Sequence, residues 1–142
     1  MKLLILNGPN LNLLGRREPE VYGSATLADV EADLRAAFPD LDLAFAQHNG
    51  EGALIDALHA AAADGTDGVV FNPGGYAHTS VALHDAVAAI DVPVVEVHIS
   101  NVHAREPFRH RLLITPAVAG FIGGFGVAGY RLAVQHFVDS RA

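Results

Sequence analysis

Hydrophobic and polar positions along the chain form two alternating patterns. Short runs that are almost wholly apolar predict buried strands, and longer Ala-rich segments, in which apolar residues recur every three or four positions, predict helices. The predicted strands are residues 3–6, 41–46, 68–72, 93–98 and 119–123. The predicted helices are residues 26–38, 50–63, 79–90 and 127–138.

This alternation predicts the fold class. Strands that are continuous apolar runs, without alternating polar residues, are typical of parallel sheets covered by helices. Five such strands in 142 residues fit an α/β fold, a flavodoxin-like doubly wound five-stranded parallel sheet with helices on both faces. Residues 1–142 are therefore predicted to form a single domain whose ligands bind outside the carboxyl ends of the strands.

Polar residues with chemical uses follow four of the predicted strands. They are Asn7 and Asn10 after the first, His48 and Asn49 after the second, residues 72–78 after the third and residues 98–101 after the fourth. Because the carboxyl ends of parallel strands lie at one edge of a sheet, these side chains are predicted to meet in one site.

The connection between the first strand and the first helix is unusually long. Such connections commonly have two to six residues, and longer ones are often binding loops or lids. Residues 7–23 carry three Asn, the pair Arg16 and Arg17, and Tyr22, among Gly and Pro residues. Amide donors, fixed positive charge and a titratable phenol suit a polar, anionic small molecule. Residues 13–23 are therefore predicted to be an active-site lid.

Composition narrows the function classes. The formal net charge is −7, and the nine basic residues do not cluster, which argues against nucleic acid and anionic membranes as partners. There is no Cys, so disulfides and thiolate metal sites are excluded. The sole lysine, Lys2, precedes the first strand, at the end of the sheet opposite the expected site, which excludes Schiff-base catalysis. No apolar run is long enough for a membrane span, so a soluble cytoplasmic protein is expected.

Five motifs, in order along nearly the whole chain, resemble those of the type II 3-dehydroquinate dehydratases. They are NGPNLNLLGRREPEVYG (7–23), HNGEG (48–52), NPGGYAHTS (72–80), EVHISN (96–101) and REPFRH (105–110). The resemblance implies a flavodoxin-like fold, no cofactor and no metal. It also implies reversible anti elimination of water from 3-dehydroquinate through an enolate, giving 3-dehydroshikimate, in the shikimate pathway or in quinate catabolism. The expected assembly is a homododecamer built from four trimers.

The resemblance assigns the catalytic roles. Tyr22 is the base that removes a proton next to the ketone. An unperturbed phenol is almost fully protonated at neutral pH, and a guanidinium at about 4 Å favours the ionised form by about 4 kcal/mol; Arg17 matches that task. His98 is the candidate acid, and Glu96, two residues earlier on the same strand, should face the same side and accept from the imidazole or from another neighbour. Asn10 is assigned to hold the water or oxyanion at the developing enolate.

Further residues match the family's substrate contacts. Asn72, Ile99 and Ser100 match its carboxylate anchor, His78 and Arg109 match its contacts to the ring hydroxyls, and Asp85 matches a residue that reaches the site of the neighbouring subunit. The predicted partners are therefore 3-dehydroquinate and further copies of this chain, without nucleic acid or membrane. Residues 111–115, RLLIT, depart from the family pattern and are more apolar than the usual run.

The alternative function is a flavodoxin-like small-ligand-binding or signalling module without catalysis. A receiver domain needs an Asp at the end of the third strand and a Lys near the fifth, whereas this chain has Asn72 and no such Lys. A flavin mononucleotide carrier needs a Ser/Thr-rich phosphate loop after the first strand, whereas no Ser or Thr precedes Ser24. Both observations favour the enzyme.

Overall fold

The structure is a computed structural model that describes residues 1–141. Its strands are β1 (Lys2–Asn7), β2 (Asp42–Gln47), β3 (Gly68–Asn72), β4 (Val94–His98) and β5 (Gly120–Gly123). Its α-helices are α1 (Pro19–Tyr22), α2 (Leu27–Ala37), α3 (Glu51–Ala63), α4 (Val81–Ala88) and α5 (Ala128–Asp139). The strands are all parallel, in the order β2-β1-β3-β4-β5. The predicted doubly wound sheet is therefore confirmed.

Helices cover both faces of the sheet. On one face, Ile5 and Val70 belong to a core that includes Leu34 of α2 and the α5 side chains. On the other face, Phe71 belongs to a core formed with α3 and α4, including Leu58. Every residue of β3 is buried, which explains why this central strand is a continuous apolar run. Within residues 1–141, no helix combines the length and the apolar character that crossing a membrane requires.

Capping residues determine where the helices begin. The Thr26 hydroxyl accepts from the backbone N–H of Asp29 (3.2 Å), while the Asp29 carboxylate accepts from the backbone N–H of Thr26 (2.9 Å). The Ser80 hydroxyl caps α4 by accepting a hydrogen bond from the backbone N–H three residues further on (2.9 Å). Because Ser80 occupies the capping position, α4 begins at Val81 and is shorter than the predicted helix over residues 79–90.

The long connection after β1 contains more helix than the sequence predicts. Leu11–Leu13 form a 3-10 turn, and α1 adds another helical turn in what was expected to be an irregular lid. Glu18 precedes α1 with a φ of 41°, a conformation that is uncommon outside glycine. Pro19 follows at the first helical position, where its fixed φ suits a helix. A single turn has no apolar period, so pattern analysis could not detect it.

The exits of β1 and β3 approach each other closely at Gly8. Its backbone N–H donates to the carbonyl of Asn72 (2.8 Å). A Cβ at this position would lie 2.6 Å from the carbonyl oxygen of Pro73, so only glycine fits without a backbone shift. This approach brings the polar residues that follow the two strands to one side of the sheet.

Candidate active site

A cavity of about 160 Å³ lies at the carboxyl ends of β1, β3 and β4. Most of the residues predicted for the site line it: Asn10, Arg17, Tyr22, Asn72, His78, His98, Ile99, Ser100 and Arg109. Glu96 lies behind His98, in contact with its ring. Asp85 is exposed on α4 and does not line this cavity. The carboxyl ends of three of the four strands named in the prediction therefore meet at this cavity, whereas His48 and Asn49, which follow β2, do not line it.

Two arginines approach the phenol of Tyr22. Arg105 Nη1 donates to the Tyr22 hydroxyl oxygen at 2.8 Å, and Arg17 Nη2 lies 3.5 Å from the same oxygen. Arg105 also donates to Ser100 Oγ (3.2 Å), whereas Arg17 also donates to the Glu18 carboxylate (3.2 Å). The Arg105 side chain is 14% exposed and that of Arg17 is 33% exposed, so water screens the Arg105 charge less.

Arg105 was missed by the sequence reasoning, which gave the stabilisation of the phenolate to Arg17 alone. The available signal was its position as the first residue of the REPFRH motif. Its contact with Tyr22 spans 83 residues of sequence, so no local pattern indicates it. The structure thus adds a second guanidinium beside the phenol, and that of Arg105 is the nearer of the two.

A buried chain of hydrogen bonds runs through β4. His98 Nε2 lies 2.7 Å from Glu96 Oε1, the contact that the spacing of the two residues predicts. The second oxygen of Glu96, Oε2, accepts from the hydroxyl of Thr115 (2.7 Å). Glu96 is completely buried and His98 is 5% exposed. With Nε2 held by the carboxylate, the other ring nitrogen of His98 is the one available to a molecule in the cavity.

The amide of Asn72 is oriented by a second buried group. Asn72 Nδ2 donates to the Tyr130 hydroxyl (2.9 Å), and Asn72 Oδ1 accepts from the backbone N–H of Gly74 (3.1 Å). The Tyr130 hydroxyl in turn donates to Asn7 Oδ1. Burial raises the pKa of Tyr130 far above its ordinary value of 10, so it acts as a neutral phenol. Sequence reasoning missed Tyr130 because it lies in an apolar helical pattern.

His78 is held in one tautomer by a backbone carbonyl. Its Nδ1 lies 2.9 Å from the Arg111 carbonyl oxygen, a contact that requires Nδ1–H. Burial lowers the pKa of His78 below its ordinary value of 6.5 and outweighs the opposing effect of the hydrogen bond to the Arg111 carbonyl, while the positive charge of Arg109 acts in the same direction as burial. The neutral ring therefore has an unprotonated Nε2, which can accept a hydrogen bond from a hydroxyl group.

Asn10 occupies a left-handed backbone position. Its φ is 69°, and its backbone N–H donates to Asn49 Oδ1 (3.0 Å). Gln47 Nε2 also donates to that oxygen (2.9 Å) and to the Gly8 carbonyl (3.1 Å). Asn tolerates this conformation better than most residues. The exit of β2 thus holds the loop that carries Asn10, and this gives a structural role to part of the HNGEG motif.

The fold and the cavity define a class of protein. A phenol beside two guanidinium groups, in a cavity that also contains a histidine backed by a buried carboxylate, is typical of an enzyme that moves protons to and from a small anionic substrate. The family model described as Dehydroquinase class II matches residues 1–138. The chain belongs to that family.

Relatives and solved structures agree with this membership. The chain is 60% identical to the 3-dehydroquinate dehydratase of Chelativorans sp. over 134 residues, covering 92% of each chain. It is 54% identical to the catabolic 3-dehydroquinase of Aspergillus oryzae, covering 94% of this chain and 88% of the relative. The crystal structure of the type II dehydroquinase from Butyrivibrio crossotus superposes with a TM-score of 0.94 at 41% identity, covering 96% of this chain and 97% of that one.

Proposed function

We propose that this protein catalyses the reversible dehydration of 3-dehydroquinate to 3-dehydroshikimate, by anti elimination through an enolate. The observation that carries the proposal is the family match over residues 1–138, together with relatives of that name. The reaction requires a base, an acid for the leaving hydroxyl, a group that holds the enolate oxygen, and an anchor for the substrate carboxylate. Residues at the cavity suit each task.

Tyr22 is proposed as the base. Its phenolate takes the proton from the carbon next to the ketone, and the electrons of that C–H bond form the enolate. Arg105 at 2.8 Å and Arg17 at 3.5 Å support the role, because their positive charges favour a phenolate over a phenol. Asn10 holds the water or oxyanion at the developing enolate.

His98 is proposed as the acid that expels the hydroxyl. The enolate collapses, the bond between the β-carbon and oxygen breaks, and the protonated imidazole gives its proton to the departing oxygen as water. The Glu96 carboxylate, 2.7 Å from Nε2, stabilises the imidazolium before transfer. Each proton moves between the substrate and a side chain, so the proposed reaction uses no cofactor or metal.

The remaining cavity residues are proposed to bind the substrate. Asn72, Ile99 and Ser100 hold the carboxylate, the two residues 99 and 100 through backbone N–H groups and the Ser hydroxyl. His78 and Arg109 contact the ring hydroxyls, and the acceptor nitrogen of neutral His78 suits a hydroxyl donor. Residues 13–23 act as a lid over a single catalytic domain, residues 1–142.

Assembly forms part of the same proposal. Asp85, which is exposed on α4 and outside this cavity, reaches the site of a neighbouring copy in a trimer, and four trimers form a dodecamer. A cytoplasmic location and a place in the shikimate pathway or in quinate catabolism complete it. The name of one relative does not say whether the enzyme is biosynthetic or catabolic, and another relative is named catabolic. The relatives therefore do not select between the two pathways.

A dehydroquinate assay tests the activity. Purified protein should raise the ultraviolet absorbance as the conjugated product forms, and deuterium at the carbon next to the ketone should be lost with anti stereochemistry. His98→Ala should lower kcat by about 10²- to 10⁴-fold, and Glu96→Gln should lower it less, since it keeps an acceptor without the charge. An inactive, yellow protein would favour the binding-module alternative. Equal losses in the two variants would instead give Glu96 a direct part in proton transfer.

A further inference from the structure

We propose that Thr115 is a positioning residue for the reaction, because its hydroxyl holds the Glu96 carboxylate ionised and aimed at His98. The proposal rests on the functions assigned above to His98 and Glu96. It gives a role to a residue in the segment 111–115, where the chain departs from the family pattern.

The burial of Glu96 makes its hydrogen bonds decisive. Its side chain is 0% exposed, and its backbone position on β4 is paired in register with Phe71 of β3 and Phe121 of β5. A buried carboxylate is strongly disfavoured unless hydrogen bonds replace its lost hydration. Its side-chain partners among the described residues are one on each oxygen: His98 at 2.7 Å and Thr115 at 2.7 Å.

The position of Thr115 is determined by packing on both sides of it. Ile114, the preceding residue, is completely buried in the core formed with α3 and α4. The backbone N–H of Leu113 donates to the Ala77 carbonyl (2.8 Å), so the segment is attached to the loop that carries His78. Thr115 begins a 3-10 turn, Thr115–Ala117, which packs against α4. The hydroxyl is therefore held at Glu96 by the fold rather than by chance contact.

The chemistry of the contact favours one protonation state of Glu96. A hydroxyl that donates to a carboxylate oxygen stabilises the ionised form. Without this donor, one oxygen of a buried charge has no partner, and the carboxylate either rotates or takes up a proton. Rotation would break the hydrogen bond to His98 and protonation would remove the negative charge, so either change weakens the stabilisation of the imidazolium. Since neither Glu96 nor Thr115 lines the cavity, substrate binding should change little.

Three variants test the proposal in the intact protein. Thr115→Val keeps the shape but removes the hydroxyl, and kcat should fall about tenfold or more with KM nearly unchanged. Thr115→Ser keeps the donor and should recover most of the wild-type kcat. Thr66→Val is the matched control, because the Thr66 hydroxyl makes an equivalent bond to the Asp64 carboxylate (2.6 Å) at the opposite end of the sheet. It should leave kcat unchanged.

A second readout does not depend on turnover. In the wild type, the ring N–H of His98 bonded to Glu96 should give a slowly exchanging downfield proton signal. Thr115→Val should move or broaden this signal, while Thr115→Ser and Thr66→Val should keep it. If Thr115→Val does not fold, Thr115→Ala takes its place in both measurements.

The outcomes separate the proposal from the function on which it rests. Wild-type kcat and an unchanged His98 signal in Thr115→Val would overturn the role of Thr115. Thr115→Ser as impaired as Thr115→Val would also overturn it, since the defect would then be one of packing. A wild-type protein that does not turn over dehydroquinate would instead refute the proposed function, and the His98 signal would still decide whether Thr115 positions Glu96.

Discussion

Tyr22 lies beside two guanidinium groups that differ in their distance from the phenol oxygen and in their exposure to water. Arg105 is nearer to the phenol oxygen and less exposed, and it carries a second bond to Ser100. Arg17 is farther away and donates to the Glu18 carboxylate at 3.2 Å, whereas the nearest carboxylate to Arg105, that of Glu106, lies 3.9 Å from it. Because electrostatic interactions strengthen as exposure falls, Arg105 should contribute more to stabilising the phenolate than Arg17, the residue that sequence reasoning selected.

Removal of either arginine should therefore lower the activity, by different amounts. Arg105→Ala should lower kcat more than Arg17→Ala, and in both variants the activity should rise only at higher pH than in the wild type. Lysine at either position should rescue incompletely, because a compact ammonium does not reproduce a planar fork. The measurement is the pH dependence of kcat and KM. An unmoved pH profile with a raised KM in Arg17→Ala would make Arg17 a substrate anchor.

Tyr130 links Asn72, which is proposed to hold the substrate carboxylate, to the core. Tyr130→Phe would leave Asn7 Oδ1 and Asn72 Nδ2 without their shared partner in a buried position. The free energy of unfolding should fall by about 1–3 kcal/mol, and KM should rise more than kcat falls, because the Asn72 amide can then rotate. Tyr76→Phe is the control, since its hydroxyl bonds the Asn49 carbonyl on the surface (3.2 Å). The measurements are denaturant unfolding and steady-state kinetics of the two variants. Equal effects in Tyr130→Phe and Tyr76→Phe would contradict this role.

At the scale of elements, the connection between β1 and α2 is anchored in the core at its base and extends from there to the cavity. Leu11 and Leu14 are buried in the core, so the base of the segment is anchored while Arg17 and Tyr22 extend to the cavity. Gly15 lies directly after this anchor with a φ of 89°, and a Cβ there would lie 2.8 Å from the Ser24 carbonyl oxygen. Gly23 has a φ of 78°, but a Cβ there would meet nothing within 4 Å.

These two glycines form a matched pair. Both glycines have a positive φ that strains an alanine by about 1–3 kcal/mol, but only Gly15→Ala adds a backbone clash. Gly15→Ala should therefore displace the proposed lid, with kcat lowered and KM raised well beyond the effects of Gly23→Ala. Steady-state kinetics and thermal unfolding of the two variants provide the comparison. If both variants are equally impaired, the contact between Gly15 and Ser24 has no part in positioning the lid.

At the scale of the whole molecule, one predicted site residue lies apart from the others. Asp85 is exposed on α4 and lies outside the cavity that most of the predicted site residues line. Exposed apolar side chains, among them Val81 on the same helix (62% exposed) and Phe108 (66% exposed), are available for contacts between copies. The proposed trimer accounts for both observations, because Asp85 of one copy would complete the site of another.

Mixing experiments can test this arrangement. Asp85→Ala should weaken substrate binding without unfolding the protein, and Arg17→Ala should impair a different site residue. After exchange of subunits, a mixture of the two variants should recover activity, because some sites then combine both native residues. Separately prepared variants that have not exchanged are the control. Sedimentation that detects a fully active monomer at assay concentration would contradict the shared site.

The sequence by itself determined the local features of this protein. The apolar runs and helical periods are properties of neighbouring residues, so they predicted the β-α alternation, the parallel sheet and the edge at which Asn72, His98 and Ser100 meet. The pairing of Glu96 with His98 followed from a spacing of two residues on one strand. The one-turn helix that carries Tyr22 escaped prediction because a single turn has no period.

Only the tertiary structure decided which distant side chains complete the site. Arg105 reaches Tyr22 across 83 residues of sequence, Tyr130 reaches Asn72 across 58, and Thr115 reaches Glu96 across 19. Asn49 likewise holds the backbone of Asn10 across 39 residues. Such contacts depend on how strands and loops are arranged in space, and a sequence pattern records only what is adjacent along the chain.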